Sequence, residues 1–341
     1  MNNFYLLPME QQRLLLTSAE NQIGLPAAAI EKDMWVTCIL QLLFSLDLRT
    51  DFLFKGGTSL SKAGNLIQRF SEDIDIAINP ALFGFNGELT KKQIKRLRKA
   101  SSLFVEQTLA DKLKEIIQAH NLSQYLTVSV EPEGKGDTTY PEPRRIFVKY
   151  QSVVSQRYDY LKSEVVLEIG ARSLMGPTHS LYVRSMIESA FPNIQTSVKN
   201  PIIITSTPAK TFLEKACLLH ELFSVNKHAD KANHRSRHLY DLERMMDLPF
   251  AMSAINDDGL WNSIQHHRSI FTSVQNVDYT KDLRKEIMLV PPENVLTAWR
   301  EDYNDMCETM IYGVKLPFER LLERIHELEG RFRGIDERRT I

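Results

Sequence analysis

The strand signal of this chain stops near residue 206, and this change constrains the fold more than any other feature of the sequence. Before that point, segments with a strand-like alternation of polar and apolar residues are interspersed with helical patterns. From Pro208 to the end, the sequence predicts helices joined by short loops. Its 341 residues are enough for two ordinary domains. We therefore expect an α+β domain over residues 1–206 and a helical domain over residues 207–341.

The first of these domains should contain a mixed set of helices and strands. Strand candidates are rich in β-branched residues or alternate with a period of two, and they cover residues 51–57, 73–78, 125–132, 145–153, 164–172 and 202–206. Helical spacing covers residues 9–23, 26–46, 58–68 and 89–120. Thr58 or Ser59 is expected to cap the third of these helices.

Charge and cysteine content exclude several classes of protein. The net charge is −1, so any contact with nucleic acid must come from local patches. Cys38, Cys217 and Cys307 are far apart and fit neither a disulfide framework nor a zinc site. The first residues do not resemble a signal peptide, and the most apolar run, "MWVTCILQLLF", is too short to span a bilayer. We expect a cytoplasmic protein without a membrane anchor.

Two aspartates follow a double glycine in "FKGGTSLSKAGNLIQRFSEDIDIAI". Asp73 and Asp75 are two residues apart in a predicted strand, so their side chains should point to the same face. Adjacent carboxylates in a partly dry site repel each other unless a cation lies between them, and oxygen ligands suit Mg²⁺. The alternative is a half-exposed strand with solvated aspartates.

The glycine turn in the same stretch has the composition of a phosphate-binding loop. Gly56 and Gly57 leave backbone N–H groups unobstructed, Thr58 and Ser59 add hydroxyls at a helix start, and Lys62 lies one turn further. The spacing does not match a P-loop. In the simpler alternative, the glycines serve only the geometry of a strand–turn–helix connection. Together, however, the turn and the acidic strand would place phosphates beside Mg²⁺, as nucleotidyl transfer requires.

Further candidate residues lie outside this stretch. Glu168 is a charged residue within the apolar strand "EVVLEIGAR" and could be a third metal ligand, or it could occupy an outward-facing position. Lys215 lies on the predicted helix "TPAKTFLEKACLLHELF". On the next helix, Arg237 and Asp241 are spaced i,i+4 with His238 beside them. Spacing alone favours the simpler interpretations, namely a surface ion pair of Arg237 with Asp241 and a solvated lysine at position 215.

Taken together, the motifs resemble the AbiEii/AbiGii toxin family of nucleotidyltransferases, which is related to the mycobacterial MenT toxins. That family has a GG[ST] turn followed after about a dozen residues by DxD, and "RFSEDIDI" is similar to the second part of this motif. "TFLEKACLLHEL" is similar to its lysine motif, "SRHLYDL" to its closing aspartate motif and "IEKDMWVTCIL" to its N-terminal helix. The resemblance extends from about residue 26 to about residue 247.

The resemblance implies a polymerase-β-like nucleotidyltransferase domain, followed by a helical domain that contributes to the active site. It also implies the roles of individual residues. The triphosphate would be bound by Gly56, Gly57, Thr58 and Ser59 with Lys62 nearby, and Mg²⁺ by Asp73 and Asp75. Lys215 would contact the nucleotide phosphates, Asp241 would complete the site, and Arg237 and His238 would support it. Glu168 is added as a third metal ligand by the logic of neighbouring strands.

The activity implied by the resemblance is attack of a hydroxyl on the α-phosphate of an NTP. By analogy with the MenT relatives, the acceptor would be the 3′ end of a tRNA, whose extension blocks translation. The protein would be the toxin of a toxin–antitoxin or abortive-infection system used in phage defence, with a separately encoded antitoxin as partner. Two alternatives remain, namely a transferase acting on a protein or small-molecule hydroxyl and a catalytically inactive module that binds RNA or a partner.

Two basic segments could contact RNA phosphates. One contains Lys91, Lys92, Lys95, Arg96, Arg98 and Lys99. The other covers residues 227–238, which are closer in sequence to the presumed site. The first run is also compatible with an ordinary solvated helix face.

Overall fold

The computed structural model describes residues 2–134, 139–154, 161–196, 200–225, 232 and 234–335. The chain divides into two compact units. The first comprises Met1–Ala63 and Phe70–Ser206, and the second comprises Gly64–Arg69 and Thr207–Ile341. The division after Ser206 coincides with the end of the strand signal. Gly64–Arg69 belongs to the second unit although both flanking segments belong to the first. No feature of the sequence indicates this assignment.

The described strands occur in the first unit, where most of them build one main sheet and β1 pairs with β8 in a small separate sheet. Their bounds are Asn2–Asn3 (β1), Phe52–Lys55 (β2), Ile74–Ile78 (β3), Leu126–Val130 (β4), Arg144–Tyr150 (β5), Glu164–Gly170 (β6), Thr178–Leu181 (β7), Ile194–Gln195 (β8) and Ile203–Ser206 (β9). Within the described residues, seven strands form one sheet in the order β4-β5-β6-β3-β2-β9-β7. β3 is antiparallel to β2 and parallel to β6. This mixed sheet confirms the expected α+β class.

Helices of the first unit cover and flank this sheet. Their bounds are Met9–Ile23 (α1), Ala27–Leu43 (α2), Gly56–Gly64 (α3), Lys91–Phe104 (α4), Ala110–Ala119 (α5) and Met186–Ala190 (α6). A stretch of π-helix, Val105–Leu109, joins α4 to α5. A capping box at Thr90 starts α4, since its hydroxyl accepts from the backbone N–H of Gln93.

The most apolar run of the sequence lies in α2, which contacts α1, α5, α6 and β6. Nearly the whole helix is buried, which explains why its apolar residues are continuous and do not form a single stripe. Among the described residues, we find no helix that combines the length and the apolarity required to span a bilayer. The run therefore forms part of the core of the first unit.

The second unit is helical over its described residues from Thr207 onward. Its helices are Pro208–Phe223 (α7), Ser236–Met245 (α8), Pro249–Ile255 (α9), Asp258–Phe271 (α10), Leu296–Thr309 (α11) and Phe318–Arg333 (α12). α7 begins with Pro208 in its first turn and is capped by the Thr207 hydroxyl, which accepts from the backbone N–H of Lys210. α7 packs against α8, α9 and α10.

The segment Gly64–Arg69 is attached to this helical unit through its backbone. The carbonyl oxygen of Gln68 accepts hydrogen bonds from the backbone N–H groups of Tyr312 (3.1 Å) and Gly313 (3.2 Å). A Cβ atom at position 313 would lie 2.5 Å from the Cβ atom of Gln68, which a change of rotamer cannot move away, so the close approach requires glycine there. Residues near the C-terminus thus hold a segment that lies between the two N-terminal motifs.

Candidate active site

The glycine turn and the acidic strand lie in direct contact in the first unit. β2 ends at Lys55 and α3 begins at once at Gly56, whose φ of +77° is in the left-handed region. A Cβ atom at position 56 would lie 2.0 Å from Oδ2 of Asp75. Because any side chain would collide with this carboxylate, the sequence needs glycine here for close approach as well as for backbone conformation. Gly57 follows within the first turn of α3.

Thr58 and Ser59 lie inside α3, so the prediction that one of them is the N-cap is wrong. The left-handed conformation of Gly56 lets the helix begin two residues earlier. The Thr58 hydroxyl donates to the carbonyl oxygen of Asp73 and lies 2.9 Å from Oγ of Ser71. The Ser59 hydroxyl donates to the carbonyl oxygen of Gly56 at 2.8 Å. Both hydroxyls therefore brace the turn and the start of the acidic strand.

Glu168 lies next to Asp75 across the strand pair β3–β6, but it has a cationic partner. Its Oε1 accepts a hydrogen bond from Nε of Arg145 at 2.8 Å. This hydrogen bond raises the pKa of Arg145, and the charge of Asp73 raises that pKa further. Among the described residues, no group of three or more His, Cys, Asp or Glu side chains is arranged to hold a metal ion. A metal role for Glu168 stays a prediction.

The two aspartates nevertheless fit a metal ion that arrives with a nucleotide. Asp73 and Asp75 are half-buried and supply carboxylate oxygens, which are the ligands that Mg²⁺ prefers. Mg²⁺ commonly uses only one or two protein carboxylates and completes its shell with phosphate oxygens and water. The absence of a side chain at Gly56 lets the carboxylate of Asp75 lie directly against the start of α3. The donor set thus suits a hard cation shared with a triphosphate.

Lys62, predicted to lie near the triphosphate, forms an ion pair with Asp33 of α2. Both side chains are almost fully buried. The other carboxylate oxygen of Asp33 accepts from the backbone N–H of Met186 at 2.7 Å. The ammonium group of Lys62 is therefore engaged within the first unit, where it ties α3 to α2.

The second unit contains a buried ionic cluster centred on Asp241 of α8. Nε and a terminal nitrogen of Arg69 donate to its two oxygens at 2.7 and 2.8 Å, which is a bidentate pair. The ammonium of Lys215 on α7 lies 2.9 Å from Oδ2 of the same carboxylate. Because Asp241 is completely buried, its interpretation as a surface ion pair is wrong, and so is that of Lys215 as a solvated lysine.

Arg69 is a candidate that the sequence analysis left without a role. It stands in "RFSEDIDI", between the glycine turn and the acidic strand, and is buried in the second unit. A buried arginine needs an anionic partner, because removing one ion from water costs several kcal/mol of desolvation free energy. Its partner is 172 residues away along the chain, which explains why no local pattern revealed it.

Charges within this cluster shift the pKa values of its members. Burial opposes ionisation of Asp241, but Arg69 and then Lys215 outweigh it and hold the pKa of the carboxyl well below its usual value. Burial lowers the pKa of Lys215 against the attraction of Asp241. Burial, followed by the charges of Lys215 and Arg237, lowers the pKa of His238 well below its usual value. His238 is therefore neutral at pH 7, and its Nδ1 lies 3.3 Å from the ammonium nitrogen of Lys215.

The resulting cluster has one carboxylate against two cations, with a neutral imidazole beside them. Arg69 and Lys215 carry two positive charges and Asp241 one negative charge, so one positive charge is in excess. A fixed lysine in partly dry surroundings interacts strongly with an anion, since the field there is less screened than in water. The arrangement can stabilise phosphate oxygens, with Asp241 and Arg69 fixing the position of Lys215.

A stripe of cations lies on α4 in the first unit. Its exposed members are Lys91, Lys92, Lys95, Arg96 and Lys99, whereas Arg98 donates from Nε to the carbonyl oxygen of Tyr140 at 2.6 Å. The helix carries no acidic residue, and cations in its first turn oppose the helix dipole. Half of the second basic segment, residues 227–231 and 233 of 227–238, lies outside the described residues.

Comparison with known proteins extends the family resemblance beyond the motifs. The model of the family described as nucleotidyl transferase AbiEii toxin, Type IV TA system, matches residues 40–324, so it covers most of the last hundred residues as well. No curated protein matches the chain. Among solved structures, the chain is similar to MenT4, a nucleotidyltransferase toxin from Mycobacterium tuberculosis H37Rv, with 16% identity, 98% of this chain and 96% of that chain covered, and a TM-score of 0.49.

The family match includes the glycine turn with its acidic strand, the lysine motif around Lys215 and the aspartate motif around Asp241. It spans well over half of the sequence. The chain therefore belongs to the AbiEii family of nucleotidyltransferase toxins from type IV toxin–antitoxin systems.

Proposed function

We propose that the protein is a Mg²⁺-dependent nucleotidyltransferase that transfers NMP from an NTP to the 3′ end of a tRNA. The observation that carries this proposal is the contact between the backbone of Gly56 and the carboxylate of Asp75. It joins a helix start suited to phosphate oxygens with an aspartate suited to a hard cation. In the transfer, the acceptor 3′ oxygen bonds to the α-phosphorus, pyrophosphate leaves, and the hydroxyl proton passes to water.

In the first unit, the proposed roles follow from position and charge. Asp73 and Asp75 would hold Mg²⁺, which when bound supplies Lewis-acid stabilisation of the phosphate charge. The backbone N–H groups at the start of α3, from Gly56 and Gly57 onward, would donate to the phosphate oxygens with the help of the helix dipole. Thr58 keeps this helix bonded to the carbonyl oxygen of Asp73, so its hydroxyl preserves the geometry of both groups.

In the second unit, Lys215 would neutralise charge on the nucleotide phosphates. Its hydrogen bond and ion pair with Asp241 fix the ammonium group, and Arg69 in turn fixes the carboxylate. The neutral imidazole of His238 can accept from the Lys215 ammonium at Nδ1 without competing for negative charge. Arg237 contributes a further positive charge to the surroundings of Lys215 and His238. These roles are proposed from the motifs and from the charges of the cluster.

An RNA acceptor is supported by the cationic stripe on α4. Its exposed lysines are placed where they weaken the helix electrostatically, so a phosphate backbone would relieve a local repulsion. The family implies that a cognate antitoxin exists. We place the reaction in the cytoplasm, where NTPs and tRNA are available, and we place the biological role in abortive infection as a phage defence.

The test is incubation of the pure protein with each α-labelled NTP, Mg²⁺ and total tRNA. Label should appear on tRNA and should vanish when periodate has destroyed the 3′ hydroxyl. Asp73→Asn and Asp75→Asn should each reduce labelling at least about a hundredfold, as expected when charge stabilisation is removed from a transition state. Asp111→Asn, which changes an exposed acid on α5, should label normally.

Other outcomes assign the alternatives. Label on protein or on a small molecule, with none on tRNA, would indicate a different acceptor. If no label is transferred, and if Asp73→Ala and Lys215→Ala inhibit bacterial growth as strongly as the unchanged protein, the protein acts as a binding module.

A further inference from the structure

Three consecutive charged residues are buried in the apolar helix α2. Glu31, Lys32 and Asp33 are 2%, 3% and 4% exposed. Desolvation of a buried ion costs several kcal/mol, and only a partner of opposite charge or hydrogen bonds can offset that cost. A helix core that needs only packing would contain apolar residues here. The three charges must therefore be explained by what they bind.

Each of the three binds a different segment, because successive helical residues point about 100° apart around the axis. Lys32 forms an ion pair with Glu72, which directly precedes Asp73. Asp33 forms an ion pair with Lys62 of α3 and accepts from the backbone N–H of Met186 at 2.7 Å. Two of the three charges thus reach the two segments that carry the proposed nucleotide site.

Glu31 makes contacts of the same kind with a segment remote in sequence from these motifs. Its carboxylate accepts from the Ser152 hydroxyl and from the backbone N–H of Val153, the latter at 2.7 Å. Burial raises the pKa of Glu31, against these two hydrogen bonds. Glu31 and Asp33 therefore match closely, since each carboxylate binds one backbone N–H and one side chain. They differ in the segment that is held.

We propose that Lys32 and Asp33 are positioning residues of the nucleotide site, a role that rests on the function proposed above. Lys32 fixes the segment that carries Asp73 through Glu72, and Asp33 fixes α3 through Lys62. One rigid helix then sets the distance between the phosphate-binding turn and the metal-binding aspartates. Both residues lie before the part of the chain matched by the family, residues 40–324.

The same geometry changes the role of Lys62. An ammonium group that is almost fully buried against Asp33 acts as an anchor of α3 and does not contact phosphate. Lys62→Met and Asp33→Asn should therefore weaken nucleotide binding to the same extent. The double variant should be no weaker than either single variant, because the two changes remove one shared interaction.

The experiment compares Lys32→Met and Asp33→Asn with the matched control Glu31→Gln. Calorimetry measures the affinity for each α,β-methylene NTP, which cannot react, over a range of Mg²⁺ concentrations, and thermal unfolding is recorded for each variant. All three changes should lower the melting temperature. Only Lys32→Met and Asp33→Asn should weaken binding of the Mg²⁺–nucleotide complex, by about ten- to a hundredfold, the loss typical of partners that orient metal ligands. Glu31→Gln should stay within about twofold of the unchanged protein.

If a single variant fails to fold, Lys32→Gln combined with Glu72→Gln removes both charges and leaves no unpaired ion. This double variant should still bind the complex about tenfold more weakly. Equal affinities in the test and control variants would overturn the inference while leaving the proposed function intact. Failure of the unchanged protein to bind any of the nucleotides would overturn both.

Discussion

Replacement of Arg69 by methionine tests the buried cluster of the second unit most directly. The side chains of Arg69 and Asp241 are 2% and 0% exposed. The change removes two charge-assisted hydrogen bonds, each of about 1.5–3 kcal/mol, and leaves the carboxylate with Lys215. Loss of one partner from a buried ion pair costs about 3–5 kcal/mol, which agrees with that sum. We expect the free energy of unfolding to fall by about 3–5 kcal/mol at pH 7.

Tryptophan fluorescence can report on the second unit alone. Trp261 and Trp299 lie in that unit and are fully buried, whereas Trp35 lies in the first unit. In a Trp35→Phe background, urea unfolding followed by fluorescence therefore measures the stability of the unit that contains Arg69. The control is Arg320→Met, which removes an arginine that is 59% exposed and paired with Glu323 one turn later. That change should have little or no effect.

The pH dependence gives this prediction a definite sign. In the unchanged protein, the pKa of Asp241 is depressed, so its contribution to stability is fully present above the unfolded pKa of about 3.9 and is lost as the pH falls further. Without Arg69, burial raises that pKa with less opposition, so the variant takes up a proton at higher pH. The gap between the two proteins should narrow from pH 7 to pH 3. A loss no larger than that of Arg320→Met, or a gap that widens in acid, would refute the reasoning.

Two further predictions concern single residues of the site. Gly56→Ala should lower the melting temperature more than Gly24→Ala and should abolish nucleotidyl transfer. Both glycines have a φ near +78°, but only position 56 faces a carboxylate. Equal losses of melting temperature would contradict the close approach to Asp75. Because the pKa of His238 is lowered, the unfolded chain alone binds a proton below its pKa of about 6.5, so stability should fall from pH 7 to pH 5.5. His238→Gln should reduce that slope in urea unfolding, and the remaining slope should come from His220, whose pKa burial also lowers. An imidazole NMR signal of His238 that titrates near the ordinary pKa would contradict the prediction.

Strands of the main sheet were predictable where burial alternates along the chain. β5 and β6 alternate between buried and more exposed residues along their whole length, so the period of two appears in the sequence; β3 alternates only around Asp75, and its last three residues are buried. β7, with the sequence "THSL", was not predicted, because it is an edge strand without fully buried residues. Local periodicity reports burial, and it fails where a strand is held mainly by backbone pairing.

Partners of the site residues were much less predictable than the motifs. The glycine turn, Asp73 and Asp75 all lie within one stretch of twenty residues, Gly56–Asp75, so the strand–turn–helix–strand pattern of that stretch indicates that they meet. The ion pair of Lys62 with Asp33 and that of Arg69 with Asp241 join residues 29 and 172 positions apart. Such pairings depend on tertiary packing, which a single sequence records only as an isolated charge. The start of α3 at Gly56 was missed for a different reason, namely a turn conformation available to glycine.

Six residues from within the N-terminal half, Gly64–Arg69, belong to the helical unit, and this restricts how the gene can be shortened or recombined. A fragment that stops at Ser206 would keep Arg69 but lose the carboxylate of Asp241, and it would keep the Gln68 carbonyl but lose both of its backbone donors. The groups that lose these partners would lie between the glycine turn and Asp73, in the middle of the stretch that we propose binds the nucleotide. The two halves therefore cannot be exchanged between relatives as independent modules. Any fusion, split or graft has to keep residues 64–69 together with the helical unit that binds them.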